Sequence, residues 1–303
     1  MIQLIIDEYN KWVENPNEYL NSSLYTNGYD PNFPPLQIMG NLLSEEEIKE
    51  TMNPNSKIDK KSLDTKNSNK ILIIGLEPLI SNPDNPDGTY QQQYKRLYKI
   101  DDNSNIEIQE QINNGGIKGI SELRTDIDLE SYLNWNLNYF NFFQSILKTK
   151  YRGHWKYLSH FCLGLDNSNF QPNTNTNWNL IGEKIIELDI IPMHGINRHQ
   201  INDHIIELFK EKIHLIKPKN ILILGGKKVR ESILRPLFNL TDEEINGEAI
   251  YESENENSKI NKIKLCSDSL NAGIFMRNSF AARGSGNGFE DANKLGKKIL
   301  EHM

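Results

Sequence analysis

A glycine, a carboxylate and a proline follow one of the most apolar runs in this sequence, an arrangement that can hold a reactive group. The run Ile71–Ile74 ends at Gly75, and Leu76, Glu77 and Pro78 come next. Glycine lets a ligand approach the backbone closely, and proline fixes the turn. Glu77 is therefore a candidate for chemistry at the end of a strand. The alternative is an exposed glutamate in an ordinary turn.

Two acids interrupt a second apolar run. Glu187 and Asp189 lie within 185–191, where the other residues are isoleucine and leucine. At alternate positions of a strand they share one face. Acids inside a buried strand need partners or a purpose, so Asp189 is a candidate for binding a ligand. The alternative is that solvent reaches this end of the strand.

Cationic and small polar residues follow two further apolar runs. After 221–224 the chain reads Gly-Gly-Lys-Lys, and backbone amides at the start of a helix can bind a phosphate there with Lys227 and Lys228 nearby. A plain strand-to-helix turn is the alternative. Residues 277–289 combine two arginines, small polar residues, two phenylalanines and three glycines. A structural loop rarely needs all of these together.

The elements that would position these residues alternate between strands and helices. Short apolar runs predict four strands, at 71–74, 185–191, 221–224 and 273–276. Helical patterns cover 129–147, 203–216, 229–234 and 290–302. This order predicts an α/β fold with a largely parallel sheet, whose ligand site lies at the carboxyl ends of the strands.

The residues before this fold are predicted to be helical and then irregular. Apolar spacing over 4–13 indicates a helix that ends before Asn15 and Pro16, and Ser44 with Glu47 forms a capping box for a second helix. Residues 53–69 have linker composition. We therefore expect a helical extension with its linker, packed on the core, over residues 1–69 and an α/β domain over residues 70–303.

Composition limits the partners and the compartment. The chain has 303 residues and a net charge of -7, so any contact with nucleic acid must come from a local patch. Two cysteines are too few for a disulfide framework, and no metal site with credible ligand spacing is visible. No signal peptide or membrane span is recognised. We expect a cytoplasmic protein without a cofactor.

The order of these motifs resembles the uracil-DNA glycosylase superfamily over roughly residues 70–300. The resemblance implies a three-layer αβα fold around a central, mainly parallel four-stranded sheet. It also implies that residues 70–303 form a glycosylase-like domain in which Glu77 activates water or stabilises a cation. Asp189, at the end of the second strand, would read the edge of the base. Leu76 and Phe140 would also contact the base, although an aromatic stripe at helical spacing such as that of Phe140 is usually core.

The last loop of that family carries His-Pro-Ser, followed by a wedge residue and an arginine that grips DNA. This chain has Arg277, Asn278 and Ser279 instead, so the resemblance leaves Arg277 or Asn278 as the residue that stabilises the departing base. Phe280 would be the wedge that fills the gap left by the flipped base. Arg283 would contact the DNA backbone. Together with the two lysines, the predicted DNA-binding residues are Lys227, Lys228, Ser279, Phe280 and Arg283.

The base preference follows from Asp189, because uracil enzymes usually have an asparagine there. An ionised aspartate only accepts hydrogen bonds and suits the exocyclic amine of cytosine. The resemblance then points to the anti-phage branch that excises glucosylated hydroxymethylcytosine, with residues 82–126 making room for the sugar. We expect a monomeric, monofunctional glycosylase acting on double-stranded DNA. The alternatives are a uracil repair enzyme, a nucleoside or nucleotide N-glycosidic hydrolase, or a non-catalytic nucleotide-binding module.

Overall fold

A computed structural model describes residues 1–16, 19, 34–54, 69–75, 97–99, 126–142, 154–172, 175–190, 203–224, 237, 248–252, 259–267, 270–277 and 288–303. The helices are α1 (Ile2–Glu14), α2 (Glu45–Met52), α3 (Leu129–Leu137), α4 (His154–Leu165), α5 (Trp178–Lys184), α6 (Asp203–Ile216) and α7 (Gly288–His302). The strands are β1 (Ile71–Gly75), β2 (Ile185–Asp189), β3 (Asn220–Leu224), β4 (Glu248–Glu252), β5 (Lys259–Ser267) and β6 (Leu270–Arg277). In this part of the chain, no helix has the length and apolar character needed to cross a membrane.

The strands form one mixed sheet in the order β2-β1-β3-β6-β5-β4. β1, β3 and β6 are parallel, whereas β5 is antiparallel to both β6 and β4. The α/β class is confirmed, and all four predicted strands are present as β1, β2, β3 and β6. The described residues form a sheet of six strands rather than four, because β4 and β5 extend it as an antiparallel pair.

The chain divides into two compact units. The first unit contains Met1–Ser62, Glu77–Lys150 and Asp189–Glu207, and the second, here called the sheet unit, contains Leu63–Leu76, Tyr151–Leu188 and Leu208–Met303. The first unit thus combines residues from both sides of the predicted boundary between residues 69 and 70. The assignment of residues 1–69 as a separate extension stays a prediction.

In the first unit, α1 and α2 both pack against α3. The predicted helix after residue 4 is confirmed, with Ile5 and Trp12 buried on its apolar face. The predicted capping box of α2 is confirmed as well: the Glu47 N–H donates to Ser44 Oγ at 3.2 Å, and the Ser44 N–H donates to the Glu47 carboxylate at 2.8 Å. Both predictions succeed because the signals are local in sequence.

The segment 34–43 of the first unit runs beside α3 and interrupts it. The N–H groups of Leu42 and Leu43 donate to the Leu137 carbonyl at 2.7 and 3.1 Å, and Asn41 forms a β-bridge with Asn138. The Leu137 carbonyl therefore bonds to this segment, and α3 ends there instead of continuing to residue 147 as predicted. Residues 139–142 are helical again, and 143–147 lie outside the described residues.

In the sheet unit, α4 packs closely against α7. A Cβ atom on Gly164 would lie 2.1 Å from the Asn293 carbonyl oxygen, and one on Gly296 would lie 2.1 Å from the Phe161 carbonyl oxygen. These distances leave no room for a side chain, so glycine at both positions lets the two helix backbones touch. The predicted helix 290–302 is confirmed as α7, whereas α4 was not predicted.

Candidate functional site

Three parallel strands of the sheet unit end at the same edge. Ile74 of β1 pairs with Ile223 of β3, and Leu224 at the end of β3 pairs with Arg277 at the end of β6. The chain continues from this edge into three of the predicted motifs, at residues 76–77, 225–228 and 278–283. The register therefore brings the starting points of these motifs together, as expected for a ligand site in a parallel α/β sheet.

Most of the predicted site residues fall outside the part of the chain that the structure describes. Arg277 is placed as the last residue of β6 by its backbone pairing with Leu224. Asp189 and Phe140 are described with their surroundings. The remaining predicted site residues lie outside the described residues: Leu76, Glu77, Lys227, Lys228, Asn278, Ser279, Phe280 and Arg283.

Asp189 is the last residue of β2, the strand next to β1 in the sheet. Its side chain is 5% exposed, and that of Glu187 is 7% exposed. The alternative of a solvated strand end is therefore wrong. Keeping two carboxylates away from water costs free energy unless polar groups compensate them. The role of Asp189 in binding a ligand stays a prediction.

Phe140 lies in the first unit and is 0% exposed. Its ring packs edge to face on Tyr139, with centroids 5.4 Å apart, and its N–H donates to Asn41 Oδ1 at 3.1 Å. This environment is that of a core residue. A place in the core was the alternative interpretation of the aromatic residues at helical spacing, to which Phe140 belongs. A stacking role for Phe140 stays a prediction, and it requires a conformation in which one ring face is accessible.

Lys70 has the lowered pKa that is common among catalytic lysines, but its position does not fit that role. Burial lowers the pKa of Lys70 to about 8, while Glu183 acts in the opposite direction. The ammonium donates to the Gly182 carbonyl of α5 at 2.8 Å. Lys70 precedes β1 and so lies at the amino end of the strand, opposite the edge where the predicted motifs begin. We assign it to binding the end of α5.

A group of side chains at the start of α7 was missed by sequence reasoning. The Phe289 ring lies 4.5 Å from the Tyr157 ring and 5.2 Å from the His160 ring, and the Lys156 ammonium lies 4.7 Å from its centroid. His160 also packs against Phe170, and the centroids of their rings are 5.2 Å apart. We call these five residues the Phe289 cluster. The spacing of Lys156, Tyr157 and His160 on one helix face would have revealed it, had α4 been predicted.

His160 is the polar member at the centre of the Phe289 cluster. It is 1% exposed, and neither ring nitrogen has a hydrogen-bond partner among the described residues. Burial lowers the pKa of His160 below its ordinary value, and the nearby Lys156 ammonium lowers this pKa further. The imidazole is therefore held neutral between two aromatic rings, where its protonation would be opposed.

In the first unit, hydrogen bonds among polar side chains link α1 to Tyr19 and Gln37. The Tyr19 hydroxyl donates to the Glu8 carboxylate, the Gln37 side-chain amide donates to Tyr19 at 2.8 Å, and the Lys11 ammonium donates to Glu8 at 2.6 Å. Burial raises the pKa of Tyr19 well above its ordinary value, and the negative charge of Glu8 adds to this shift. A tyrosine that stays protonated and bonded in this way fixes the fold rather than transferring protons.

Among the described residues, neither Cys162 nor a group of metal-binding side chains forms a reactive site. Burial raises the pKa of the Cys162 thiol far above its ordinary value, so the nucleophilic thiolate does not form. Across the described ranges, no three His, Cys, Asp or Glu side chains converge to hold a metal ion. Comparison of the chain with protein-family models, curated proteins and solved structures finds no match.

Proposed function

We propose that this protein is a monofunctional DNA glycosylase that flips a modified cytosine out of duplex DNA and excises it, leaving an abasic site. The proposal includes the finer fold: a three-layer αβα arrangement of the uracil-DNA glycosylase type. Glucosylated hydroxymethylcytosine of phage DNA is the substrate that we propose. An enzyme that removed ordinary cytosine would damage the genome of its own cell.

The observation that supports the proposal most is the shared edge of β1, β3 and β6. The pairing of Leu224 with Arg277 aligns the ends of two strands, and the parallel pairing of β1 with β3 adds the third. Residues 76–77, 225–228 and 278–283 begin at this edge, and they carry the carboxylate, the two lysines and the arginine that the reaction needs. We propose that a DNA strand binds at this edge of the sheet.

The proposed reaction is hydrolysis of the bond between the sugar and the base. As this bond breaks, its electron pair leaves with the base and the sugar becomes a cation. The Glu77 carboxylate stabilises that cation and takes a proton from the water molecule whose oxygen bonds to the sugar carbon. Arg277 or Asn278 donates hydrogen bonds to the departing base, which lowers the barrier electrostatically. The base anion then takes up a proton, equivalent to the one that Glu77 received, which restores the carboxylate. The products are a free base and an abasic site.

Asp189 is proposed to select the base. Its buried position at the end of β2 removes competing water from the carboxylate. An ionised carboxylate accepts a hydrogen bond from the exocyclic amine of cytosine, whereas uracil presents an oxygen at the same place. Phe280 would then fill the gap that the flipped base leaves in the duplex.

Base release from matched duplexes tests the proposal. Duplexes containing uracil, cytosine, hydroxymethylcytosine or glucosylated hydroxymethylcytosine are incubated with the protein, and alkali then cleaves any abasic site. Cleavage of the glucosylated duplex alone supports the whole proposal. Cleavage of the uracil duplex alone keeps the glycosylase activity but refutes the role of Asp189, and the absence of any cleavage refutes the function.

The acidic character of the chain favours a second candidate. With a net charge of -7, the protein would repel DNA outside local basic patches, which suits a hydrolase that acts on free nucleosides or nucleotides. Salt distinguishes the two functions. DNA binding weakens steeply with added salt because counterions are released on binding, whereas turnover of a small nucleoside changes little.

A further inference from the structure

His160 lies where α4 meets α7, and it is a buried polar residue that the proposed function does not use. Its carbonyl oxygen accepts a hydrogen bond from the Asn293 side-chain amide of α7 at 3.3 Å. Its ring lies 5.2 Å from the Phe289 ring of α7, and Phe170 packs on it at the same distance. His160 therefore contacts α7 through its main chain and through its side chain.

The two helices are in direct backbone contact beside His160. A Cβ atom on Gly164 would lie 2.1 Å from the Asn293 carbonyl oxygen, and one on Gly296 would lie 2.1 Å from the Phe161 carbonyl oxygen. An interface packed as closely as this has little capacity to deform gradually. A change that brings water between α4 and α7 must therefore separate the helices.

Protonation changes what the His160 ring requires of its surroundings. The neutral imidazole has one donor and one acceptor, whereas the imidazolium has two N–H donors and a positive charge. The residue is 1% exposed, and among the described residues neither ring nitrogen has a hydrogen-bond partner. Burying a charge without partners or water has a high cost in free energy. The protonated ring is therefore favoured only where water can reach it.

The aromatic and cationic neighbours of His160 do not offset this cost. The faces of Phe170 and Phe289 attract a cation but are poor acceptors of hydrogen bonds. The Lys156 ammonium already lies 4.7 Å from the centroid of the Phe289 ring. Lys156 is one turn before His160 on α4, and its charge repels a second cation there.

The charged side chains of the helices packed on α4 are bound elsewhere or leave His160 unaffected. On the first three turns of α7 and on α5 they are Glu290, Asp291, Lys294, Lys297, Glu183 and Lys184. Lys294 pairs with Glu290 at 3.0 Å, and Lys184 pairs with Asp166 at 2.8 Å. Lys297 donates to Asn169 Oδ1 at 3.2 Å. Burial lowers the pKa of His160 most, and of the described charged groups it is Lys156 that lowers it further.

The contact between α4 and α7 can open without loss of the sheet. Among the described elements, α7 packs mainly on α4 and to a lesser extent on β4, whereas α4 also packs on α5. The six strands are joined to one another by backbone pairing in which neither helix takes part. Opening of this contact is therefore a local event that requires less free energy than unfolding of the sheet unit.

We propose that the contact between α4 and α7 is a pH-sensitive switch, in which protonation of His160 releases the first turns of α7 while the sheet stays folded. The contact is closed above the ordinary histidine pKa of about 6.5, because neither state binds the proton there. As the pH falls below this value towards the lower pKa of the closed state, the open state binds a proton that the closed state does not, and opening increases. The inference does not rest on the proposed function.

Hydrogen exchange of the whole protein at pH 7.5 and 5.5 tests the inference. Exchange in residues 288–303 reports opening of α7, and exchange in residues 220–224 reports opening of the sheet, each corrected for the intrinsic rate at that pH. His160→Phe keeps an aromatic ring that cannot be protonated, and Lys156→Met removes the ammonium but keeps an apolar stem. His214→Phe, at an exposed position of α6, is the matched control.

In the wild type, the protection of residues 288–303 should fall about tenfold from pH 7.5 to 5.5, as expected for one group that binds its proton only in the open state. His160→Phe should remove this fall, and His214→Phe should leave it unchanged. Lys156→Met should make the fall smaller, because His160 then binds a proton in the closed state at a higher pH.

The local character of the opening has its own readout. At pH 5.5, residues 288–303 should exchange faster than residues 220–224 and respond less to low concentrations of urea, because local opening exposes less surface than unfolding. Equal protection and equal urea dependence of the two regions would indicate global unfolding and overturn the inference.

An equal fall in protection for His160→Phe and the wild type would overturn the inference as well. If His160→Phe does not fold, Lys156→Met decides the question, because Lys156 is a partly exposed residue whose removal keeps His160 in place. A smaller fall in that variant supports the inference, and a fall as large as that of the wild type would overturn it. Base release plays no part in this test, so failure of the proposed function leaves it intact.

Discussion

Glu187 and Asp189 lie two positions apart in β2, and both side chains are buried. Alternate residues of a strand project from the same face of the sheet, so this end of β2 presents two carboxylates on one face. Desolvating a carboxylate has a high cost in free energy, which polar neighbours must offset. In the proposed function, Asp189 of this pair binds the base.

Asp189→Asn should change the preference among bases. The amide adds a donor where the carboxylate only accepts, so excision of the modified cytosine should fall by about 10- to 100-fold, the usual discrimination of one good base contact. Excision of uracil should rise or appear. Base-release rates on the two duplexes measure the change. Glu187→Gln is the control on the same strand, and an equal shift of preference in it would remove the special role of Asp189.

Asn136→Leu should destabilise the first unit. Asn136 Oδ1 accepts from the N–H groups of Gln37 at 2.6 Å and Ile38 at 3.3 Å, and its amide donates to the Tyr132 carbonyl at 3.0 Å. Leucine would leave these buried groups unsatisfied, at a cost of about 3 kcal/mol in the free energy of unfolding. Urea denaturation measures it. Asn141→Leu, at an exposed position, should cost much less, and equal losses would contradict the assignment.

Gly296→Ala should destabilise the sheet unit strongly. The new Cβ would meet the Phe161 carbonyl oxygen at 2.1 Å and the Leu165 nitrogen at 2.8 Å. Both are backbone atoms, so α4 and α7 must separate, and we expect a loss of about 3 kcal/mol or more. Thermal unfolding followed by circular dichroism checks this. Leu300→Ala on the exposed part of α7 serves as the comparison, and a similar Tm for the two variants would argue against close packing.

His160 should make stability depend on pH. Its pKa in the folded protein is lowered by burial and then by Lys156, so the unfolded chain binds the proton more readily. Its contribution is fully present above the ordinary histidine pKa of about 6.5 and is lost as the pH falls towards the folded pKa. Urea unfolding at pH 7.5 and 5.5 should show a larger loss for the wild type than for His160→Phe. Identical losses would exclude His160 as the cause.

The parallel strands could be predicted from sequence because their apolar runs are continuous. Ile71–Ile74 and residues 221–223 are buried, and neither run contains a polar residue. β5 has the opposite character: in Lys259–Ser267, lysine and asparagine alternate irregularly with isoleucine and leucine. Pairing with β6 makes it a strand, and that contact is not visible in the local pattern.

The candidate site was predictable only where its residues end a strand. Asp189 was singled out as a candidate because an acid is unusual in an apolar run, and its role in base binding stays a prediction. The contact between Tyr157 and Phe289 joins residues that are far apart in sequence and depends on how α4 packs against α7. For Phe140, periodicity identifies a buried aromatic face but not whether one of its rings can reach a ligand, so its stacking role stays a prediction.

The most direct test of the central claim is a single-turnover comparison of the wild type and Glu77→Gln on a duplex containing one glucosylated hydroxymethylcytosine. Alkaline cleavage reports abasic sites, and fluorescence anisotropy reports binding of the same duplex. The account predicts cleavage by the wild type, a fall of at least about 100-fold in rate for the variant, as for loss of a group that acts in the transition state, and nearly unchanged binding. Equal rates would remove Glu77 from the mechanism, and the absence of cleavage by the wild type on this and every other modified duplex would contradict the proposed function.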